Sequence, residues 1–119
     1  MVLRTFTSDS IGPGVRSTLA NGDTLFLAEG EIIARNDSTD YYDAAIRGVM
    51  NGNALDIRGG VVNWGTGIFL GGGTANDYLY TVELGSEAFI KSFMATGLSV
   101  NAWGSKVVNA GDIQGYNGV

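Results

Sequence analysis

Two short motifs alternate along the chain, and this alternation constrains the fold more than any other feature. The first occurs at 21–32 (NGDTLFLAEGEI), 51–62 (NGNALDIRGGVV), 78–89 (YLYTVELGSEAF) and 103–113 (WGSKVVNAGDI). Each copy opens on a turn signal or polar residues, runs through a β-prone stretch, breaks at a Gly or small residue, and resumes on an apolar one. Leu27, Ile57, Leu84 and Val108 mark equivalent positions, at intervals of 30, 27 and 24 residues. The second motif pairs a small residue with an aliphatic one at 44–52 (AAIRGVMNG), 65–73 (GTGIFLGGG), 95–104 (ATGLSVNAWG) and the terminal YNGV. Ile46, Ile68, Leu98 and Val119 are its matched positions, spaced 22, 30 and 21 residues apart.

Alternating motifs describe a coil with at least two short strands per turn. Side chains alternate across a strand, so in TLFLA either Leu25 and Leu27 or Phe26 points inward. Short strands cannot bury that face alone, whereas coils stacked about 4.8 Å apart form a continuous core. The unequal intervals place insertions in loops at 34–44, 72–78 and 91–96. Composition agrees: 19 glycines against one proline, Pro13, suit many tight corners between hydrogen-bonded strands. The alternative is an antiparallel sandwich with hairpins at Asn21-Gly22, Asn51-Gly52 and Asn117-Gly118, but sandwich strands have no reason to resemble one another at this period. A helical reading fails at 31–47, the longest window without Gly, because Asn36, Asp37, Ser38 and Thr39 interrupt it. The expectation is therefore an all-β, single-domain parallel β-solenoid of about four irregular coils over 21–119. Residues 1–20 form an irregular segment or cap.

Charge and composition exclude several function classes. Twelve acidic residues face seven basic ones, and Arg4, Arg16, Arg35, Arg47, Arg58, Lys91 and Lys106 are scattered. Phosphate backbones need clustered cations, so nucleic acid is not an expected partner. No apolar run is long enough to span a membrane, and the N-terminal MVLRTFTSDS has no apolar core of a signal peptide. With neither Cys nor His, the chain cannot build a Cys-His or Ser-His-Asp nucleophile.

The segment 107–119 (VVNAGDIQGYNGV) resembles repeats of the form V-x-N-x-G-x-I-x-G-x-x-G-[VI]. These occur in the N-terminal β-helical part of bacterial RTX-type and autotransporter-like secreted proteins. The matching residues are Val107, Asn109, Gly111, Ile113, Gly115, Gly118 and Val119, and 52–73 repeats the theme. The resemblance implies a right-handed coil and a secreted or cell-surface location in a bacterium. It also implies export through a C-terminal signal, which would fit the missing leader. Within GGTANDYLY (72–80), Gly72, Gly73, Asn76, Asp77 and Leu79 match an RTX calcium nonapeptide, with Ala75 where that family has Gly. Glycine turns expose carbonyls and carboxylates supply charge, so Gly73, Asn76 and Asp77 are candidate calcium ligands. Calcium in such rolls is shared between successive copies, and only this near-copy is present. A weaker echo surrounds Asp23.

Other candidates come from the residues themselves. RNDSTDYYDAA (35–45) gathers Asp37, Asp40 and Asp43 with Tyr41 and Tyr42. Such a loop could bind a cation or a sugar, with aromatic faces for the ring and carboxylates for hydroxyls; a solvated connection is the plainer alternative. Glu29 and Glu31 would lie on one face if extended, roughly 6.5–7 Å apart, near inverting-glycosidase spacing, although Gly30 interrupts the strand. No enzyme is expected. Trp64, Phe69, Phe89, Phe93 and Trp103 form either an external ladder or packing, and Asn109 could join an asparagine ladder. Finally, the last motif ends at Val119 without a polar cap. Two expectations follow: the chain is a piece of a longer protein, or, since an open strand edge recruits other chains, Val119 meets Val2, Leu3 and Phe6 of a second copy. The leading expectation is thus a non-enzymatic extracellular structural module that stacks head-to-tail into a fibre. The alternative is an RTX-like calcium- or glycan-binding adhesive protein.

Overall fold

The structure, a computed structural model, describes residues 2–48, 52–71, 79–101 and 104–116. Every regular element among them is a β-strand, and every strand pair is parallel. One sheet contains, in order, β1 (Leu3–Phe6), β4 (Thr24–Leu27), β7 (Ala54–Ile57), β10 (Thr81–Leu84) and β13 (Lys106–Asn109). A second contains β2 (Ser10–Gly12), β5 (Ile32–Arg35), β8 (Gly60–Asn63), β11 (Phe89–Ser92) and β14 (Asp112–Gln114). The third contains β3 (Ser17–Leu19), β6 (Ile46–Gly48), β9 (Ile68–Gly71) and β12 (Leu98–Asn101). The chain visits the three sheets in rotation, and each strand pairs with the one three elements later. That is a parallel β-solenoid with three strands per turn. Hairpin pairing is absent among the described residues, which rules out the antiparallel sandwich there. No helix of the described residues is long and apolar enough to cross a membrane.

The core is built from columns of equivalent inward side chains. Leu25 stacks on Leu55 and Val82, and Leu27 on Ile57 and Leu84. Ile33 stacks on Val61 and Ile90, and Ile46 on Ile68 and Leu98. All twelve are buried, and each contributes about 1.5–3 kcal/mol by leaving water. Phe26 faces outward, half-buried, which settles the phase of TLFL. The matched sets Leu27/Ile57/Leu84 and Ile46/Ile68/Leu98 therefore sit as the motif spacing places them. Val108 does not: it pairs with Glu83 and faces out, while Val107 lies over Val82 and Asn109 over Leu84. Two adjacent valines fit the apolar beat equally well, and the ladder selects the first. Val119 falls outside the described residues, as do Gly73, Asn76, Asp77 and Trp103.

Residues 2–20 are not a loose segment. They supply β1, β2 and β3, a full turn paired in register with the next. Its inward positions are Arg4, Phe6, Ser10, Gly12, Ser17 and Leu19, far more polar than those of the turn above. The Arg4 guanidinium bends onto buried Asp23 (Nη2–Oδ2 3.0 Å). Arg16 donates to Ser10 Oγ at 3.3 Å and Pro13 O at 2.8 Å, lying where a side chain on Gly12 would stand. Two guanidinium groups thus cover this end of the core. Inward-pointing charge is a known way of blunting a strand edge. Of the expected contact residues, Val2 and Leu3 are exposed, while Phe6 packs against the chain's own core.

Two backbone constraints explain the glycine pattern. Gly22, Gly52, Leu79 and Gly104 occupy the same position before the first-sheet strands, and all have φ between 65° and 76°. The turn demands the left-handed region, which glycine enters freely and leucine only with strain. At the corner between the first and second sheets, the short connections Arg58-Gly59 and Ala110-Gly111 nest against the longer corners preceding them. A Cβ on Gly59 would stand 2.1 Å from Glu31 O and 2.5 Å from Ala28 O. On Gly111 it would stand 2.3 Å from Ala88 O and 2.7 Å from Gly85 O.

Candidate functional site

The corner between the second and third sheets collects five exposed aromatic side chains, Tyr41, Tyr42, Trp64, Phe93 and Tyr116. The three central second-sheet strands, β5, β8 and β11, end on inward residues that satisfy the corner beyond them: Arg35, Asn63 and Ser92 follow Ile33, Val61 and Ile90 by two residues. Arg35 donates to Ala44 O at 3.2 Å. Buried Asn63 donates to Asp43 O (2.7 Å) and Thr66 O (2.8 Å) and accepts from Ser38 Oγ. Ser92 donates to Gly65 O at 2.6 Å and accepts from Ala95 N at 2.9 Å. With the inside of the corner tied down, the next side chain must project outward. Trp64 and Phe93 are those residues, in register with each other, and Tyr116 stands two residues beyond Gln114, the partner of Lys91.

The insertion between β5 and β6 folds over the same corner. Thr66 donates through Oγ1 (2.7 Å) and its backbone N–H (3.1 Å) to Tyr41 O, fixing that loop to the turn above. Tyr41 then stacks on Trp64, with centroids 6.2 Å apart and planes 4° from parallel. Tyr116 N–H bonds Ala95 O at 2.9 Å. Between these anchors lies a cleft of ≈ 480 Å³ lined by Tyr41, Tyr42, Thr66, Met94, Thr96 and Tyr116 together with Ala95. Tyr42 and Tyr116 are 73% and 75% exposed, and neither ring has a stacking partner among the described residues.

Of the expected loop residues, Tyr41 and Tyr42 face the cleft, but the three acids serve the loop itself. Asp43 Oδ2 accepts from Thr39 N and Asp40 N, and Asp40 Oδ1 accepts from Tyr42 N. Asp37 accepts from Arg35 Nε and Gly14 N, both at 2.8–2.9 Å. The Arg35 guanidinium, then the Gly14 amide, holds the Asp37 carboxyl below the usual carboxylate range. The bonds of Asp40 and Asp43 are local turn bonds that shape the platform, while Asp37 also ties the loop to Gly14 of the first turn. Among the described residues no group of acids is placed to hold a metal. Asp23 is likewise a clamp: it accepts from Ala20 N, Val2 N and Arg4, and these contacts lower its pKa, the Ala20 amide first.

The remaining candidates disperse. Gly30, at φ 82°, turns the corner between Glu29 and Glu31 and takes them off a common strand. Glu31 instead meets Asp9, whose hydrogen bond and charge, aided by burial, raise the Glu31 pKa. Phe69 lies under Arg47 on the outer face of the third sheet, and Phe89 covers Gly60 on the second, so neither joins Trp64 and Phe93. Met94, Thr66, Thr96 and Tyr116 are cleft residues that the sequence argument passed over. The signal was present: Trp64 and Phe93 each stand one residue past a strand end, and Tyr116 stands two past the end of β14. Comparison with family models, with curated proteins and with solved structures finds no match to this chain. The resemblance to RTX-type repeats therefore rests on the sequence motifs alone.

Proposed function

We propose that the protein is a non-catalytic glycan-binding module, a rigid β-solenoid that presents an aromatic cleft at the surface of a cell. The cleft between Tyr41, Tyr42 and Tyr116 carries this reading. A pyranose ring has an apolar C–H face and a rim of hydroxyls. Tyr rings offer the matching flat surface, and their hydroxyls, with those of Thr66 and Thr96, offer donors and acceptors. Nucleobases also stack on aromatics, but strand binding needs a cationic groove; here the lining carries no Lys or Arg, and Asp40 and Asp43 flank Tyr41 and Tyr42. The carboxylates nearest the cleft are engaged with backbone amides, which suits binding rather than turnover. A glycan array on the purified protein tests the proposal. Binding lost in Tyr42→Ala supports it, and silence across the array removes it.

End-to-end stacking into a fibre is the second reading. Among the described residues the outer edges of β1 and β13 are unpaired, and a parallel ladder makes its two ends complementary. Arg4 and Arg16 across one end weigh against it, because a stacked copy would desolvate two guanidinium groups. Sedimentation at high concentration separates the two: fibres support stacking, and a dispersed monomer leaves the cleft as the functional surface.

A further inference from the structure

Resting on the glycan-binding reading, we infer that the ligand is a neutral, linear polysaccharide bound along the stacking axis at an internal stretch of the chain, not at its end. The first observation is the direction in which the cleft is built. Tyr41 and Tyr42 come from the turn containing β5 and β6, Thr66 from the β8–β9 corner, and Met94 and Thr96 from the β11–β12 corner. Tyr116 follows β14 in the turn beyond. Contributions from four successive turns form a strip parallel to the axis. With about 4.8 Å between turns, the strip from Tyr42 to Tyr116 runs roughly 14 Å, about the length of a trisaccharide. A pocket for a single terminal sugar would close around one turn; this one runs across them.

The second observation is the shape of the lining. Thr66 and Ala95 are buried at the base, while Tyr42 and Tyr116 stand exposed at opposite ends. Exposed platforms at both ends of the strip suit a polymer that continues past it. Trp64 is sandwiched against Tyr41 and Phe93 lies under Lys91 Nζ at 5.0 Å. One face of each is thus already covered, and the free platforms are the two terminal tyrosines.

The third observation is charge. Asp40 and Asp43 flank Tyr41 and Tyr42 in the loop; the nearest cations along the strands of this corner are Arg35 and Lys91. Arg35 is committed to Asp37 at 2.8 Å, and Lys91 to the Phe93 ring. No free cation among the described residues faces the cleft to meet a uronate or sulfate. A polyanion would therefore be repelled, and a neutral chain would not.

Calorimetry with a neutral β-glucan oligosaccharide series, a soluble neutral β-glucan and polygalacturonate tests the inference. Affinity should rise from monosaccharide to about trisaccharide length and then level off, with the polymer bound and polygalacturonate not. Tyr42→Ala and Tyr116→Ala, both at exposed sites that leave the core untouched, should each weaken binding about fivefold or more. They should also shorten the length at which affinity levels off. Equal affinity for monosaccharide and polymer, or tighter binding of polygalacturonate, would overturn the inference while leaving glycan binding intact. Binding of none of these, with a positive array result elsewhere, overturns it too. No glycan binding at all, with a protein partner lost in Tyr42→Ala, fells the underlying reading as well.

Discussion

Replacing Gly59 by Ala probes the stacking of the solenoid at its tightest point. The added methyl would sit 2.1 Å from Glu31 O, 2.5 Å from Ala28 O and 3.1 Å from Glu31 C, all backbone atoms of the preceding corner. A carbon–oxygen contact settles at about 3.3 Å or more, so the two turns must separate locally by roughly 1.2 Å. Gly60 N–H donates to Glu31 O at 2.9 Å; stretched by that amount the bond is lost. The lost bond costs about 0.5–1.5 kcal/mol and the strain passed to the packed columns a further 1–3 kcal/mol or so. The sum is about 1.5–4.5 kcal/mol. For a chain of this size that is a fall in Tm of roughly 10 °C. Gly14→Ala is the control: φ there is 75° but no atom lies within 4 Å, so only the backbone penalty of about 1–2 kcal/mol applies. Thermal and urea denaturation followed by far-UV circular dichroism measure both. Gly59 is not at positive φ, so a Gly59→Ala loss no larger than that of Gly14→Ala would refute the claim that contact between turns selects glycine there.

Three further outcomes are expected. Leu79→Gly should raise stability by about 0.5–1 kcal/mol, because it relieves a left-handed leucine worth about 1–2 kcal/mol at some cost in chain entropy; a lower Tm would sink the strain argument. Asn63→Ala should cost more than Asn53→Ala: each amide nitrogen serves two backbone carbonyls, but Asn63 Oδ1 also accepts from Ser38 whereas Asn53 Oδ1 has no partner among the described residues; unfolding in urea ranks them, with about 1–3 kcal/mol expected for each stranded carbonyl. Glu31, its pKa raised by Asp9, binds its proton more tightly folded than unfolded. That contribution is therefore present at low pH and lost as pH rises through the raised pKa. Glu31→Gln should then be the more stable protein at neutral pH, with the advantage vanishing on acidification. A gain that persists unchanged below the carboxylate range would contradict the pairing.

The sequence made the repeat legible because stacked backbones impose it. Leu27, Ile57 and Leu84 must recur wherever a turn closes, and insertions between them change only loops. Three strands per turn were harder to see than two, because β4 and β5 are separated only by the corner 28–31 and read as one interrupted stretch. Val107 and Val108 fit the apolar pattern equally, and only hydrogen-bond register turns Val107 toward the Val82 column and Val108 outward. The polar first turn escaped notice since Arg4 and Arg16 are ordinary surface residues until the ladder points them inward. At the site, Tyr41 and Tyr42 stood out as a pair of aromatics in an acidic loop. Tyr116 and Met94 did not, because their neighbourhood exists only after the turns are stacked.

The same constraint explains why the cleft lies where it does. Inward columns cannot vary without opening the core, and the strand faces are held by in-register pairing. The corner between the second and third sheets is freer. From Arg35 to Ile46 the chain takes eleven residues, from Asn63 to Ile68 five, and from Ser92 to Leu98 six, yet all three routes arrive in register. Extra residues there cost little, since loop closure grows slowly with length, and the inward Arg35, Asn63 and Ser92 absorb the difference by bonding whichever carbonyls the corner presents. A solenoid can therefore acquire a loop such as 36–45 without disturbing its core. The fixed distance between turns then sets the spacing of whatever those loops display, so the rigid ladder becomes a ruler for a ligand with its own linear repeat.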